Sequence, residues 1–154
     1  MENYWNKGDK PIFDKQPLKI GVVGFSGGKF NEVIALVHLK RAFDAICNSH
    51  SDYSEFIVVS GYTAMGIPLL AYEEANARGW KTKGIACEKA KDHEVYPCDE
   101  VIIFGEEWGD ESSIFLNDID VLVRVGGGAQ SMEETAKAYE KQIPVIEFDL
   151  KELK

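Results

Sequence analysis

Apolar, β-rich runs alternate along this chain with stretches in which apolar residues recur at helical spacing. The β-rich runs cover residues 18–25, 55–60, 80–87, 100–105, 120–125 and 144–148. This alternation is typical of βαβ units, in which helices connect parallel strands. The first run, LKIGVVGF, is apolar nearly throughout, as expected for a strand covered by helices on both faces. The sequence therefore predicts a Rossmann-like, three-layer α/β/α fold with a mainly parallel sheet of about six strands.

The helical stretches carry local signals of their own. Asn31 is expected to cap the helix after the first strand. A short helix is expected near 112–117, and the last helix places Met132, Ala136 and Tyr139 on one face. In the first helix, helical spacing predicts one buried stripe made of Val33, Leu36, Val37, Phe43 and Ile46.

Length and charge limit the classes of protein to consider. The 154 residues suit one domain, predicted at 18–154 after a polar N-terminal arm at 1–17. The formal net charge of -9 opposes attraction to a phosphate backbone, so binding of nucleic acid, single-stranded DNA included, is disfavoured. A small anion held by backbone amides remains compatible with that charge, because such attraction is local.

Cysteine usage and hydropathy bear on the compartment. The three cysteines form no disulfide framework, which indicates a reducing environment. No segment resembles a signal peptide or a membrane span, so a cytoplasmic protein without membrane contact is expected. Cys87, His93 and Cys98 lie close in sequence, but three ligands without a C-x-x-C pair favour a surface loop over a zinc site.

Three glycine-rich turns follow predicted strands and precede helices. Glycine allows a backbone to turn sharply and to approach a ligand, and the helix behind each turn offers unpaired N–H groups to an anion. Ligands of parallel sheets bind at this carboxyl edge. The candidate ligand-binding residues are Gly24, Phe25, Ser26, Gly27 and Lys29 in the first turn, Ser60, Gly61, Tyr62, Met65 and Gly66 in the second, and Gly126, Gly127, Gly128, Ser131 and Glu134 in the third.

The third turn carries two interpretations of its polar residues. Ser131 and Glu134 fit a capping box, in which both side chains satisfy helix amides, and they equally fit a ligand site. Neither the P-loop pattern nor the dinucleotide fingerprint G-x-G-x-x-G occurs. Two residues outside the turns are also candidates for ligand binding: Trp108 by packing or by covering a base, and Arg124 by pairing with a carboxylate or by binding an anion.

Two segments of the chain resemble the Rossmann-like SLOG superfamily, which includes the LOG proteins and the molybdenum-cofactor carriers. VVSGYTAMGIPLLAYEEANARGWKTKGIA is similar to the family's second glycine turn and its flanking strands. DVLVRVGGGAQSMEETAKAYEKQIPVIEF is similar to its PGGxGTxxE segment, with Gly127 and Gly128 on the paired glycines, Ser131 on the threonine and Glu134 on the glutamate.

The resemblance implies a nucleotide-like ligand and a homodimer. Glu111 and Ser112 fall where the LOG phosphoribohydrolases carry an arginine and a lysine, which favours binding over turnover. The first hypothesis is a sensor, carrier or sequestering protein for a nucleotide or another phosphorylated small molecule, with no further cofactor assigned. The alternative is an enzyme that hydrolyses or transfers an N-glycosidic bond, with Glu134 and Glu111 as the candidate catalytic carboxylates.

Overall fold

The computed structural model describes residues 16–153, so the predicted arm at 1–17 lies almost entirely outside the described residues. The elements in chain order are β1 (Leu18–Gly24), α1 (Glu32–Ser49), β2 (Phe56–Ser60), α2 (Gly66–Ala77), β3 (Lys81–Ala86), a short 3-10 helix (Glu88–Asp92), β4 (Glu100–Ile103), α3 (Ser112–Asp118), β5 (Val121–Val125), α4 (Ala129–Glu140) and β6 (Val145–Phe148). None of these helices is long and apolar enough to cross a membrane.

The six strands form one parallel sheet in the order β4-β3-β2-β1-β5-β6. The predicted three-layer α/β fold is thereby confirmed. Helices α1 and α2 pack together on one face and α3 and α4 on the other. In this strand order, the connection after β1 leads to β2 and the connection after β5 leads to β6, on the opposite side. The two connections diverge, which opens a crevice at the carboxyl ends of β1 and β5.

Two apolar cores hold the layers together. The larger lies under α1 and α2 and contains Leu39, Phe43 and Tyr72, all fully buried. The smaller lies under α3 and α4 and contains Phe115 and Leu122. Burying such side chains is the main favourable term in folding, at about 1.5–3 kcal/mol for each.

The prediction for the buried face of α1 was wrong in part. Phe43 and Ile46 are buried, but Val33 is 74% exposed and Val37 46% exposed. Small residues, Ala35 and Ala42 among them, face the core instead. Two overlapping stripes fit the same helical spacing, and the stripe that holds the alanines is the one packed in the core.

The outer face of α4 is likewise exposed. Met132 and Tyr139 share a face, as predicted, but that face points to solvent, with half or more of each side chain accessible. The buried residues of α4 are Ser131, Glu134, Thr135 and Ala138. Because α4 buries a glutamate and exposes a methionine, the elements under its inner face must offer hydrogen-bond partners to that glutamate.

Candidate functional site

A cavity of about 380 Å³ lies at the carboxyl edge of the sheet, where β1 and β5 diverge. Its wall combines strand ends, the turns after β1, β2 and β4, and the first turns of α2 and α4. The lining residues are Val22, Val23, Gly24, Ser26, Gly27, Ser60, Gly61, Thr63, Met65, Pro68, Ile85, His93, Trp108, Glu111, Phe115, Gln130, Ser131 and Glu134.

Two buried carboxylates dominate the polar part of the wall. Glu111 precedes α3 and Glu134 lies in the second turn of α4, and each is only 6% exposed. The Gln130 amide bridges them, because Nε2 donates to Oε2 of Glu111 at 3.2 Å and to Oε2 of Glu134 at 3.4 Å. Ser112 Oγ donates to Glu134 at 2.7 Å and the Gly109 amide to Glu111 at 3.0 Å.

Burial makes Glu134 a weaker acid than a solvated glutamate. Desolvation raises its pKa, hydrogen bonds from Ser112 and Gln130 oppose that rise, and the negative charge of Glu111 adds to it. Among residues 16–153, no lysine or arginine lines the cavity to offset the two carboxylates. The pair can therefore accept hydrogen bonds from a ligand, and Glu134 can hold a proton above the usual pH range of a glutamate.

The capping-box interpretation of Ser131 and Glu134 was wrong. Helix α4 begins at Ala129, so Gly128 is its N-cap and Ser131 already lies inside the first turn. Ser131 Oγ donates to the carbonyl of Gly24 at 3.2 Å, and Glu134 bonds to Ser112 and Gln130. No side chain among the described residues caps α4, which leaves its first amides to solvent or to a ligand.

The three consecutive glycines stand next to the cavity and outside its lining. Gly126 and Gly127 adopt positive φ angles of 61° and 109°, which favour glycine. A Cβ on Gly127 would lie 2.6 Å from Cβ of Ser131 and 3.2 Å from Cα of Gly24. The triplet thus packs the β5 turn against the β1 turn, and that close packing places Gln130 and Ser131 in the wall.

Of the candidates in the first turn, Gly24, Ser26 and Gly27 line the cavity. The structure places Phe25 and Lys29 elsewhere. The Phe25 ring stacks on Phe30 with centroids 5.7 Å apart, and the Lys29 carbonyl accepts a hydrogen bond from the Leu153 amide at 2.8 Å.

Of the candidates in the second turn, Ser60, Gly61 and Met65 line the cavity, and Tyr62 and Gly66 do not. The Tyr62 amide donates to the Tyr72 hydroxyl at 2.9 Å. A Cβ on Gly66, whose φ is 65°, would lie 2.2 Å from the Phe25 carbonyl oxygen. These two positions shape the turn.

Of the two candidates outside the glycine-rich turns, one lines the cavity and the other does not. Trp108 lines the cavity and is 45% exposed. Arg124 lies outside the lining and pairs with carboxylates, one of the two alternatives predicted for it.

Sequence reasoning missed several lining residues, of which His93 and Gln130 are the most informative. The His93 ring lies 5.8 Å from that of Trp108, measured between centroids. An isolated antiparallel bridge between Thr63 and Val95 brings the polar segment that carries His93 to the cavity. Gln130 offered a usable signal, because it lies one helical turn before Glu134.

The suspected zinc residues do not form a cluster. Cys87 is buried, and burial raises the pKa of the Cys98 thiol, which lies against the hydroxyls of Tyr72 and Thr82. Within residues 16–153, no three His, Cys, Asp or Glu side chains are grouped so that they could hold a metal ion.

Several solved structures share this fold, among them proteins described as molybdenum cofactor carrier or binding proteins. The molybdenum cofactor carrier protein MCP from Chlamydomonas reinhardtii is 25% identical, with 86% of this chain and 76% of that chain covered and a TM-score of 0.66. The molybdenum cofactor binding protein from the phototrophic bacterium Rippkaea orientalis is 23% identical, with 87% and 77% covered and a TM-score of 0.69. No curated protein matches the chain significantly.

A family model matches nearly the whole described chain. It is the model of the SLOG cluster4 family, and the match covers residues 17–154, which includes every strand and every lining residue of the cavity. The resemblance inferred from the two glycine-rich segments is confirmed. The chain belongs to the SLOG cluster4 family.

Proposed function

We propose that this protein binds a nucleotide or a related phosphorylated small molecule in the cavity and acts as its carrier or sequestering protein. One observation carries the proposal: the cavity joins the uncapped N-terminus of α4 to two buried carboxylates at the point where the strand connections diverge. Its volume of about 380 Å³ lies within the range of small-molecule sites.

The wall offers complementary partners for such a ligand. Helix α4 has no side-chain cap, so its first amides can donate to a phosphate group. The start of α2 offers less, because the Ile67 amide donates to the Phe25 carbonyl at 2.7 Å and Pro68 has no N–H. Glu111 and Glu134 can accept hydrogen bonds from ribose hydroxyls or from ring N–H groups. Trp108 and Met65 supply apolar surface for a planar heterocycle. Because the described part of the chain places no lysine or arginine in the lining, backbone amides are its main donors to the anionic end.

The solved relatives support a carrier role. The protein from Chlamydomonas reinhardtii is described as a molybdenum cofactor carrier and the one from Rippkaea orientalis as a molybdenum cofactor binding protein. The molybdenum cofactor is therefore one candidate cargo, beside the nucleoside monophosphates.

Ligand screening tests this proposal. Native mass spectrometry of the freshly purified protein is expected to show a bound small molecule. Thermal unfolding with AMP, GMP, CMP, UMP, their nucleosides and inorganic phosphate is expected to raise Tm most for a monophosphate, since only the native state binds it. A single protein mass without adduct, combined with no Tm shift from any compound, would contradict the proposal.

A second function is cleavage of an N-glycosidic bond. It is favoured because Glu134 and Glu111 lie close enough to share the Gln130 amide, and because burial raises the pKa of Glu134. In that reaction water adds to the anomeric carbon and gives up a proton to one carboxylate while the C–N bond breaks. The departing base takes up a proton from the other carboxyl group, which is protonated before the reaction. Chromatography of nucleosides and monophosphates after incubation would reveal free base. If the wild type releases free base, if Glu134→Gln abolishes the release and if Glu133→Gln preserves it, the protein is an enzyme and the carrier proposal is wrong.

Assembly and location remain proposals. A homodimer is proposed on the family resemblance, and the exposed apolar residues Val33, Ile34 and Val37 of α1 are one surface that could support it. Light scattering is expected to give twice the monomer mass, and a monomer at high protein concentration would exclude a stable dimer. A cytoplasmic location is also proposed, because the three cysteines form no disulfide framework and indicate a reducing compartment.

A further inference from the structure

Arg124 is a buried charge that the cavity does not use. It interrupts the apolar run of β5, is 5% exposed, and lies outside the cavity lining. Side chains alternate along a strand, so Arg124 lies on the same face as Leu122, beneath α3 and α4. An arginine in such a place needs a partner for each of its donors.

The guanidinium has three partners on two chain segments, the end of β6 and the turn after β5. Nε donates to Glu147 at 2.9 Å, Nη2 to Asp149 at 2.8 Å, and Nη1 to the carbonyl of Gly126 at 3.0 Å. Only a planar fork with several fixed donors can make these contacts together, and a lysine ammonium cannot replace it.

The bond to Gly126 is the one protected from water. The side chain of Asp149 is 98% exposed and that of Glu147 is 30% exposed, so solvent screens both ion pairs. The Gly126 carbonyl is buried, and a charged donor strengthens a buried hydrogen bond. The two carboxylates therefore mainly orient the guanidinium, and the guanidinium holds the carbonyl.

Gly126 begins the turn that sets the start of α4. Its amide donates to the Phe148 carbonyl at 2.9 Å, so both of its backbone polar groups are fixed. Gly127 follows in close contact with Gly24 and Ser131. Gln130 and Ser131, in the first turn of α4, form part of the cavity wall. A shift of the Gly126 peptide would move the free amides of α4.

We infer that Arg124 is a positioning residue, which holds the Gly126 carbonyl and thereby fixes the β5–α4 turn in its ligand-binding geometry without touching the ligand. The inference rests on the proposed function for its effect on affinity. Its structural part, the order of the turn, can be measured without any ligand.

The test compares Arg124→Lys with Arg78→Lys. Arg78 is a matched control, because it is also partly buried and ion-paired, to Glu74 and Asp44, but lies outside the cavity lining at the end of α2. Hydrogen–deuterium exchange is measured at the Gly126 amide, which donates to the Phe148 carbonyl, and in β1. Binding of the best monophosphate of the panel is measured by calorimetry. Arg124→Lys is expected to speed exchange in the turn, leave β1 unchanged, and weaken binding roughly tenfold or more. Arg78→Lys is expected to change neither.

A second variant keeps the test decisive if Arg124→Lys does not fold. The double variant Glu147→Gln with Asp149→Asn removes the exposed anchors of the guanidinium and keeps the arginine. It is expected to speed exchange in the turn and to weaken binding about two- to threefold. Wild-type exchange and affinity in every variant that folds would overturn the inference. Absence of any ligand for the wild type would defeat the proposed function alone, and exchange in the turn would then decide the role of Arg124.

Discussion

Helices α1 and α4 both follow glycine-containing turns that leave neighbouring strands, yet their N-termini are completed differently. At α1, Asn31 Oδ1 accepts a hydrogen bond from the Ile34 amide at 3.0 Å, a cap within the helix itself. At α4, Gly128 gives no such cap, and Ser131 and Glu134 bond to other elements. The start of α1 is completed by its own cap and has a structural role, whereas the start of α4 leaves unpaired amides beside the cavity.

The largest expected effect comes from the glycines of the two turns. Gly127→Ala places a Cβ at positive φ and against Ser131 and Gly24, so it is expected to cost about 3 kcal/mol of unfolding free energy. Gly27→Ala meets nothing within 4 Å and is expected to change stability by less than about 0.5 kcal/mol. Urea denaturation measures both. Equal stability of the two variants would break the comparison between the turns.

The next effect concerns the cap itself. Asn31→Ala is expected to lower the unfolding free energy by about 1 kcal/mol, because an orphan amide loses its acceptor. It is expected to leave the affinity for a monophosphate unchanged, whereas Ser131→Ala alters the cavity wall and is expected to weaken binding. Calorimetric titration of both variants checks the contrast, and a matching loss of affinity in Asn31→Ala would contradict it.

The smallest expected effect is a gain in stability. Since burial raises the pKa of Glu134 in the folded state, protonation favours folding, and this contribution is lost as pH rises from the unfolded pKa through the folded pKa. Glu134→Gln removes the buried charge and is expected to raise Tm at neutral pH by about 1–2 °C, the shift that roughly 0.5 kcal/mol produces in a domain of this size.

The gain from Glu134→Gln is expected to disappear at acidic pH, where the wild-type carboxyl is protonated. Glu133→Gln is the matched control, because Glu133 is the preceding residue and is exposed, with an ion pair to Lys137. A gain of the same size at acidic and neutral pH, or in both variants, would show that the charge of Glu134 carries no such penalty.

The sequence could predict the sheet and its functional edge because both follow from local patterns. Alternating strands and helices determine a parallel sheet, and a glycine turn after a strand marks its carboxyl end. The buried face of α1 could not be chosen in the same way. Val33 and Ala35 lie on overlapping stripes with the same helical spacing, and the tertiary packing of α1 decides which stripe is buried.

The candidate site could be predicted only where its residues are local to a turn. Gly61, Trp108 and Glu134 line the cavity as expected. His93 reaches it through a bridge between two loops, which no sequence period records. Asn31 caps α1, whereas Ser131 lines the cavity, because α1 begins directly after Asn31 and α4 begins before Ser131. The N-cap of α4 is Gly128, three residues before the position that the capping-box pattern predicts.

The central claim is that the cavity holds a phosphorylated, nucleotide-like ligand. Gly61 lines the cavity, and a Cβ there would meet no protein atom within 4 Å, so Gly61→Ala narrows the ligand space and leaves the fold intact. We expect calorimetry to show saturable binding of a nucleoside monophosphate to the wild type and roughly tenfold weaker binding to Gly61→Ala at equal Tm. Equal affinity of the two proteins, or no binding of any monophosphate to the wild type, would contradict the claim.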